Sequence, residues 1–461
     1  MNRPRLVLLL VWLLSVGYAA SGLTRGWWPH DEGTLGQSAD RVLAGQLPHR
    51  DYDEIYTGGL AFVDAAAFKV FGDTLVSPRL VLLLVFAIWV PAMFYVASRF
   101  FGPVGAGGVT LAAAAWSIPN YSAAMPSWFN LFFAGLGVAC LVRHTETGAA
   151  RWIFWAGICG GLSCLCKIIG LYYIAGALLF LVYREQSAAN GASEPGALWF
   201  RVVVGSALLV FALGVLDLLR GRWTGGDLGL YAFPSAALVA LLLAGEPGRG
   251  SGRARFSALA RSVGILAAGV ALPVVLFLIP YILSHSVGAI AYDVFVAPTR
   301  RFMFAAMRAP GLNTFRNALL FIIPVGLYWW LPTWRRGIAW VTAILLAAVW
   351  VLTFKGNYYR IEWNAFVWIV PLAVAAGAII LWPRTGGGPP TVKRQQTFAL
   401  LAVTAVATLV QFPFSAPIYF LYIAPLGVVT AAAVLEIQFE GAAAWPVFGG
   451  ALLLFAILFP V

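Results

Sequence analysis

Residues 79–98 read RLVLLLVFAIWVPAMFYVAS, and the only charge in the run is Arg79 at its first position. A helix of about twenty residues rises about 30 Å, the thickness of a bilayer's hydrocarbon core. A stretch this apolar reads as a membrane span. The same pattern recurs outward along the chain, at 6–23, 104–119, 127–142, 152–166, 168–183, 202–219, 227–244, 262–283, 315–332, 338–354, 364–382, 397–411, 417–435 and 443–460. The expected fold is an all-α polytopic membrane protein, a bundle of roughly 13–15 transmembrane helices, several short enough to be tilted, broken or re-entrant. Residues 1–461 then form a single transmembrane domain. The first run follows Arg3 and Arg5, is long enough to cross, and reads as a retained helix.

Composition agrees. Of 461 residues, 61% are hydrophobic and 10% charged, against roughly a quarter charged in a soluble domain. The formal charge is +12, but the basic residues mostly sit in short loops between apolar runs. There they act as topology signals and headgroup contacts, which argues against nucleic acid as a partner. With the N-terminus in the cytoplasm, Arg99, Arg143 with Arg151, Arg184 with Arg201, Arg249 to Arg261, and Arg335 with Arg336 all fall inside. Cys140, Cys159, Cys164 and Cys166 lie in apolar stretches and read as buried packing. Gly157 and Gly161 form a small-xxx-small pair suited to close helix contact.

Two outer loops are too long to be turns, about 24–78 and 284–314. The first opens Trp27-Trp28-Pro29-His30-Asp31-Glu32-Gly33. An amphipathic pattern follows, with Leu35, Ala39, Val42 and Leu43 on one face, suited to lying in the membrane interface. Asp31 and Glu32 stand at its N-terminal end, where backbone N–H groups favour negative charge. Next come His49-Arg50-Asp51-Tyr52-Asp53-Glu54 and Tyr56-Thr57-Gly58-Gly59, then a second amphipathic segment from Leu60 to Phe71. A helix cap accounts for Asp31 by itself. It does not account for two acidic clusters flanking an interfacial helix in so charge-poor a chain. Asp31, Glu32 and Glu54 are therefore the candidate reactive carboxylates, with Asp51 and Asp53 as substitutes for Glu54. His30 and His49 do not fall at metal-ligand spacing.

These residues resemble the first extracytoplasmic loop of GT-C superfamily glycosyltransferases of the protein O-mannosyltransferase and aminoarabinose-transferase type. The likeness rests on Asp31-Glu32-Gly33, the Ala39-to-Gly45 helix, Pro48-His49-Arg50-Asp51-Tyr52, Phe68-Lys69-Val70-Phe71-Gly72 and Arg79. Looser matches are Gly157 to Gly170, with Cys166-Lys167, and Gln411-Phe412-Pro413 through Leu421-Tyr422-Ile423-Ala424-Pro425. The chain departs from the pattern at Thr57-Gly58-Gly59, where relatives often carry a proline pair.

The resemblance implies a GT-C-like bundle and an inverting glycosyltransferase, hexosyl or pentosyl. It would move sugar from a polyprenyl-phosphate donor to a glycan, lipid or protein acceptor. The implied setting is the periplasmic or extracellular face of a bacterial plasma membrane. Asp31 would be the general base. Glu32 or Glu54 would orient the acceptor or hold a divalent cation, Mg or Mn, through oxygen ligands. The departing phosphate needs cations, for which Lys167, Arg300, Arg301 and Arg360 are candidates, along with Arg308; Arg50 and Asp51 are candidates for substrate binding. The competing readings are a transporter or lipid flippase, a polymerase or ligase using a lipid-diphosphate donor, and a non-catalytic assembly subunit. A carrier keeps ionisable groups near mid-membrane, whereas here Asp217 and Lys167 fall at span ends and the polar residues crowd the outer loops.

Overall fold

The computed structural model describes residues 3–189, 197–246, 248–298, 307–353, 363–383, 391–439, 441 and 444–458. Their regular structure is helical: α1 Arg3–Ala20, α2 Thr34–Leu43, α3 Gly59–Phe71, α4 Val76–Ala97, α5 Pro103–Ala115, α6 Pro126–Thr147, α7 Ala150–Cys166, α8 Gly170–Ala189, α9 Leu198–Leu218, α10 Gly225–Ala244, α11 Gly252–Leu283, α12 Val287–Val296, α13 Leu312–Trp330, α14 Pro332–Val349, α15 Trp363–Leu381, α16 Thr391–Ala407, α17 Ala424–Phe439 and α18 Ala444–Leu458. This is an all-α multi-pass membrane protein.

Among the described residues, seven helices are long and apolar enough to cross a bilayer (α1, α4, α6, α9, α10, α11 and α15), and an eighth crossing arises if α13 and α14 are one span. Those two, expected as separate crossings, form a pair bent by 110°. Ala150–Cys166, Ala424–Phe439 and Ala444–Leu454 are apolar but shorter. The expected 13–15 helices include such segments, several of them short, tilted or broken, because hydropathy does not distinguish a crossing from a shorter helix held among its neighbours.

Packing fixes which loops share an end of the bundle. Arg99, after α4, pairs with Glu146 at the end of α6 at 2.8 Å, and Arg143 joins the same carboxylate at 2.9 Å. Buried Arg255 pairs with Glu185 at the end of α8 and with Glu246 beyond α10. These clusters lie on the side expected to be cytoplasmic, so several arginines expected as topology signals are also structural ties. The opposite ends of α1, α4, α6 and α7 gather around the first long loop.

In that loop α2 packs on α3 through Ala39, Val42, Ala65 and Phe68. Leu35 and Ala39 of the apolar face are buried within the protein, whereas Leu43 at the end of the helix is exposed. Helix α7 is clamped to α11 by small residues. A Cβ on Gly157 would stand 2.2 Å from the Leu266 carbonyl oxygen, and one on Gly269 2.2 Å from that of Phe154. Only glycine permits this approach, which fixes the end of α7 where Lys167 follows.

Candidate functional site

Pro29 opens a single wide helical turn, Pro29–Gly33, that runs directly into α2. Within it the two adjacent acids point in different directions. Glu32 is 4% exposed and receives Arg79 in a bidentate pair, Nε to Oε1 at 2.6 Å and Nη2 to Oε2 at 2.7 Å. The Trp28 amide adds a bond at 3.1 Å. Arg79, at the start of α4, spends its remaining donors on the carbonyls of Leu23, Arg25 and Gly26 at 2.8–2.9 Å. All five guanidinium N–H groups are thus satisfied. A buried pair in this geometry ties the loop to α4 and commits both Glu32 oxygens to Arg79.

Asp31 is half-buried and faces the bundle, where it accepts a hydrogen bond from the Tyr121 hydroxyl. Lys167 enters the same space from the extended break between α7 and α8. Its ammonium donates to Ser127 Oγ at 3.1 Å and lies 5.5 Å from the Tyr56 ring centre and 5.7 Å from that of Tyr419. Burial pushes its pKa down to about 8, and the Asp31 charge opposes that shift. Tyr419 and Tyr422 also lie within electrostatic reach of Asp31. Beneath Lys167, Asn130 Nδ2 donates to the Ser163 carbonyl (2.8 Å), the Ser163 hydroxyl (2.7 Å) and the Lys167 carbonyl (3.3 Å), fixing the turn. A cavity of ≈ 20 Å³ lined by Ser127, Asn130, Ser163 and Tyr422 adjoins it, with room for about one water. The result is an aromatic-walled cleft with a carboxylate on one side and an ammonium on the other.

Glu54 stands apart. It is buried, takes the Tyr56 amide on Oε1 at 3.1 Å, and leaves Oε2 without a protein partner. Asp64 of α3 is fully buried nearby with both oxygens unpartnered. Burial first, and the Glu54 charge second, raise its pKa well above the usual carboxylate range. His49, in the left-handed region at φ 66°, reaches Asp293 of the second long loop through Nδ1 at 3.1 Å. Arg50 and Asp51 pair with each other at the surface, Nη2 to Oδ2 at 2.6 Å. Thr57-Gly58-Gly59 has a local reason. Gly58 holds φ 93°, which proline cannot adopt, and a Cβ on Gly59 would stand 2.7 Å from Leu165.

Of the residues singled out from sequence, Asp31 and Lys167 meet in one cleft. Glu32 adjoins it but is committed to Arg79, Glu54 is buried beside Asp64, and Arg50 and Asp51 pair at the surface. Arg300, Arg301 and Arg360 lie outside the described residues. Sequence reasoning missed the cleft roles of Tyr121, Tyr419 and Ser127. Among the described residues no three His, Cys, Asp or Glu side chains converge as a metal-binding set. Glu32 is held by Arg79, and Glu54 keeps one oxygen without a protein partner.

No protein-family model and no curated protein matches the chain. Among solved structures it is similar to the crystal structure of ArnT from Cupriavidus metallidurans bound to undecaprenyl phosphate. The identity is 16%, the coverage 93% of this chain and 76% of that chain, and the TM-score 0.31.

Proposed function

We propose that the protein is a membrane glycosyltransferase that moves a sugar from a polyprenyl-phosphate donor to an acceptor hydroxyl or amine on the extracytoplasmic face. The observation that carries this reading is that Asp31, bonded to Tyr121, lies within electrostatic reach of the Lys167 ammonium among the Tyr56 and Tyr419 rings, at the end of the bundle opposite the Arg99 and Arg255 clusters. The loop's resemblance to GT-C enzymes points the same way.

Asp31 takes the proton of the acceptor nucleophile as that atom attacks the anomeric carbon. The bond from that carbon to the phosphate oxygen breaks on the opposite face, and its electron pair leaves with the lipid phosphate. One displacement inverts the configuration. The leaving group is already a phosphate, so it needs charge rather than a proton, and the Lys167 ammonium supplies it. The tyrosine walls exclude water and present faces on which a sugar ring stacks. A carrier would need the carboxylate to face both sides of the membrane in turn, whereas Asp31 faces one end of the bundle.

The test compares envelope glycans and glycolipids of cells with the protein, without it, and with Asp31→Asn. The reading predicts a sugar substituent lost equally in the last two. An unchanged envelope in the deletion contradicts it. Chelation and add-back of Mg or Mn on the purified protein tests for a metal requirement.

A further inference from the structure

Asp31 has one hydrogen-bond partner for its side chain among the described residues, and that partner is Tyr121. The phenol is held on several sides. Its residue follows the short turn Ile118–Asn120, which Asn120 Nδ2 closes onto the carbonyls of Ala115 (2.6 Å) and Ser117 (3.1 Å). Trp128 Nε1 donates to the Tyr121 carbonyl at 3.0 Å, and the Trp28 ring packs on the phenol at a centroid distance of 4.9 Å. Tyr121 is 8% exposed. The hydroxyl therefore reaches Asp31 from a fixed direction and binds one oxygen only, Oδ2.

We infer that Tyr121 is the positioning residue of the Asp31 base, its O–H occupying Oδ2 so that the acceptor's proton is delivered to Oδ1. This rests on the proposed role of Asp31. A carboxylate free to rotate presents either oxygen at variable angles, whereas one pinned by a rigid donor presents a single lone pair to the cleft. The phenol stays a donor across the working range, because burial and then the Asp31 bond raise its own pKa. The other groups facing Asp31 are Lys167, Tyr419 and Tyr422, with Glu32 neutralised by Arg79 and His30 exposed beside it.

The test is Tyr121→Phe in the full-length protein, which keeps the ring and its stack on Trp28. The assay follows release of polyprenyl phosphate from polyprenyl-phosphate sugars extracted from the native membrane, with the native envelope fraction as acceptor. The expected result is about a tenfold loss of kcat with KM within about twofold and a melting temperature near the parent's. A purely structural role would lower the melting temperature and change kcat and KM together. The infrared carboxylate bands of Asp31, assigned by their absence in Asp31→Asn, change their splitting when the one-sided hydrogen bond is lost. A parent-like kcat and unmoved Asp31 bands in Tyr121→Phe, with Asp31→Asn inactive, overturn this inference alone. Retained turnover in Asp31→Asn overturns the base and this inference together.

Discussion

Asp31 and Glu32 are neighbours in the chain, carry the same functional group, and each lie near a basic residue, yet their surroundings differ in kind. Glu32 and Arg79 form a closed unit in which every guanidinium donor has a partner. Asp31 and Lys167 share a space in which one hydroxyl holds the carboxylate and one serine holds the ammonium, leaving hydrogen-bonding capacity on both. A saturated ion pair holds a loop in place. An unsaturated pair facing a cleft binds something else.

The largest effect expected from breaking this contrast is on folding. Removing one partner of the closed unit, as in Arg79→Ala, strands a buried carboxylate and costs about 3–5 kcal/mol. That is a large share of an ordinary stability margin of about 5–15 kcal/mol, and detergent-solubilised yield and melting temperature report it. The double variant Glu32→Gln with Arg79→Met recovers much of the loss. In the open unit the loss is catalytic. Lys167→Met lowers turnover about 10²–10³-fold while the melting temperature stays near that of the parent.

The same lysine gives the contrast a pH signature. Its working form is the ammonium, so activity is present below its pKa and falls as pH rises through about 8. Lys167→Arg keeps the charge and moves that basic limb upward in a pH–rate profile. Asp64 gives a smaller effect of stability alone. Its folded pKa stands above the unfolded 3.8, so between those values the folded state holds a proton that the unfolded state releases, and stability declines as pH rises. Asp64→Asn flattens that decline and raises the melting temperature at neutral pH. Smallest of all, Arg50→Ala removes one side of an exposed surface pair and leaves melting temperature within error.

Much of this was legible from residue order. The apolar runs identified the membrane and the helical class, and Gly157 with Gly161 announced the close contact that α7 makes with α11. Asp31 stood out as an acid after tryptophans in a charge-poor chain, and Lys167 as a cation between apolar runs. The division of labour between Asp31 and Glu32 was not legible, since it depends on Pro29 opening a turn that sends adjacent side chains to different faces. A signal did exist in Arg79, the only charge of its run, which in lipid must find an anion. The aromatic walls were hidden for another reason. Tyr121 and Tyr419 reach Asp31 and Lys167 across long stretches of chain, and no local pattern marks a tyrosine as facing a cleft.

The most direct measurement of the division between the two acids is sugar transfer by purified Asp31→Asn protein, with its folded state checked by melting. The prediction is parent-like melting with turnover reduced by about 10²–10⁴-fold, the usual contribution of a general base. Turnover within a few fold of the parent in a folded Asp31→Asn protein contradicts the account.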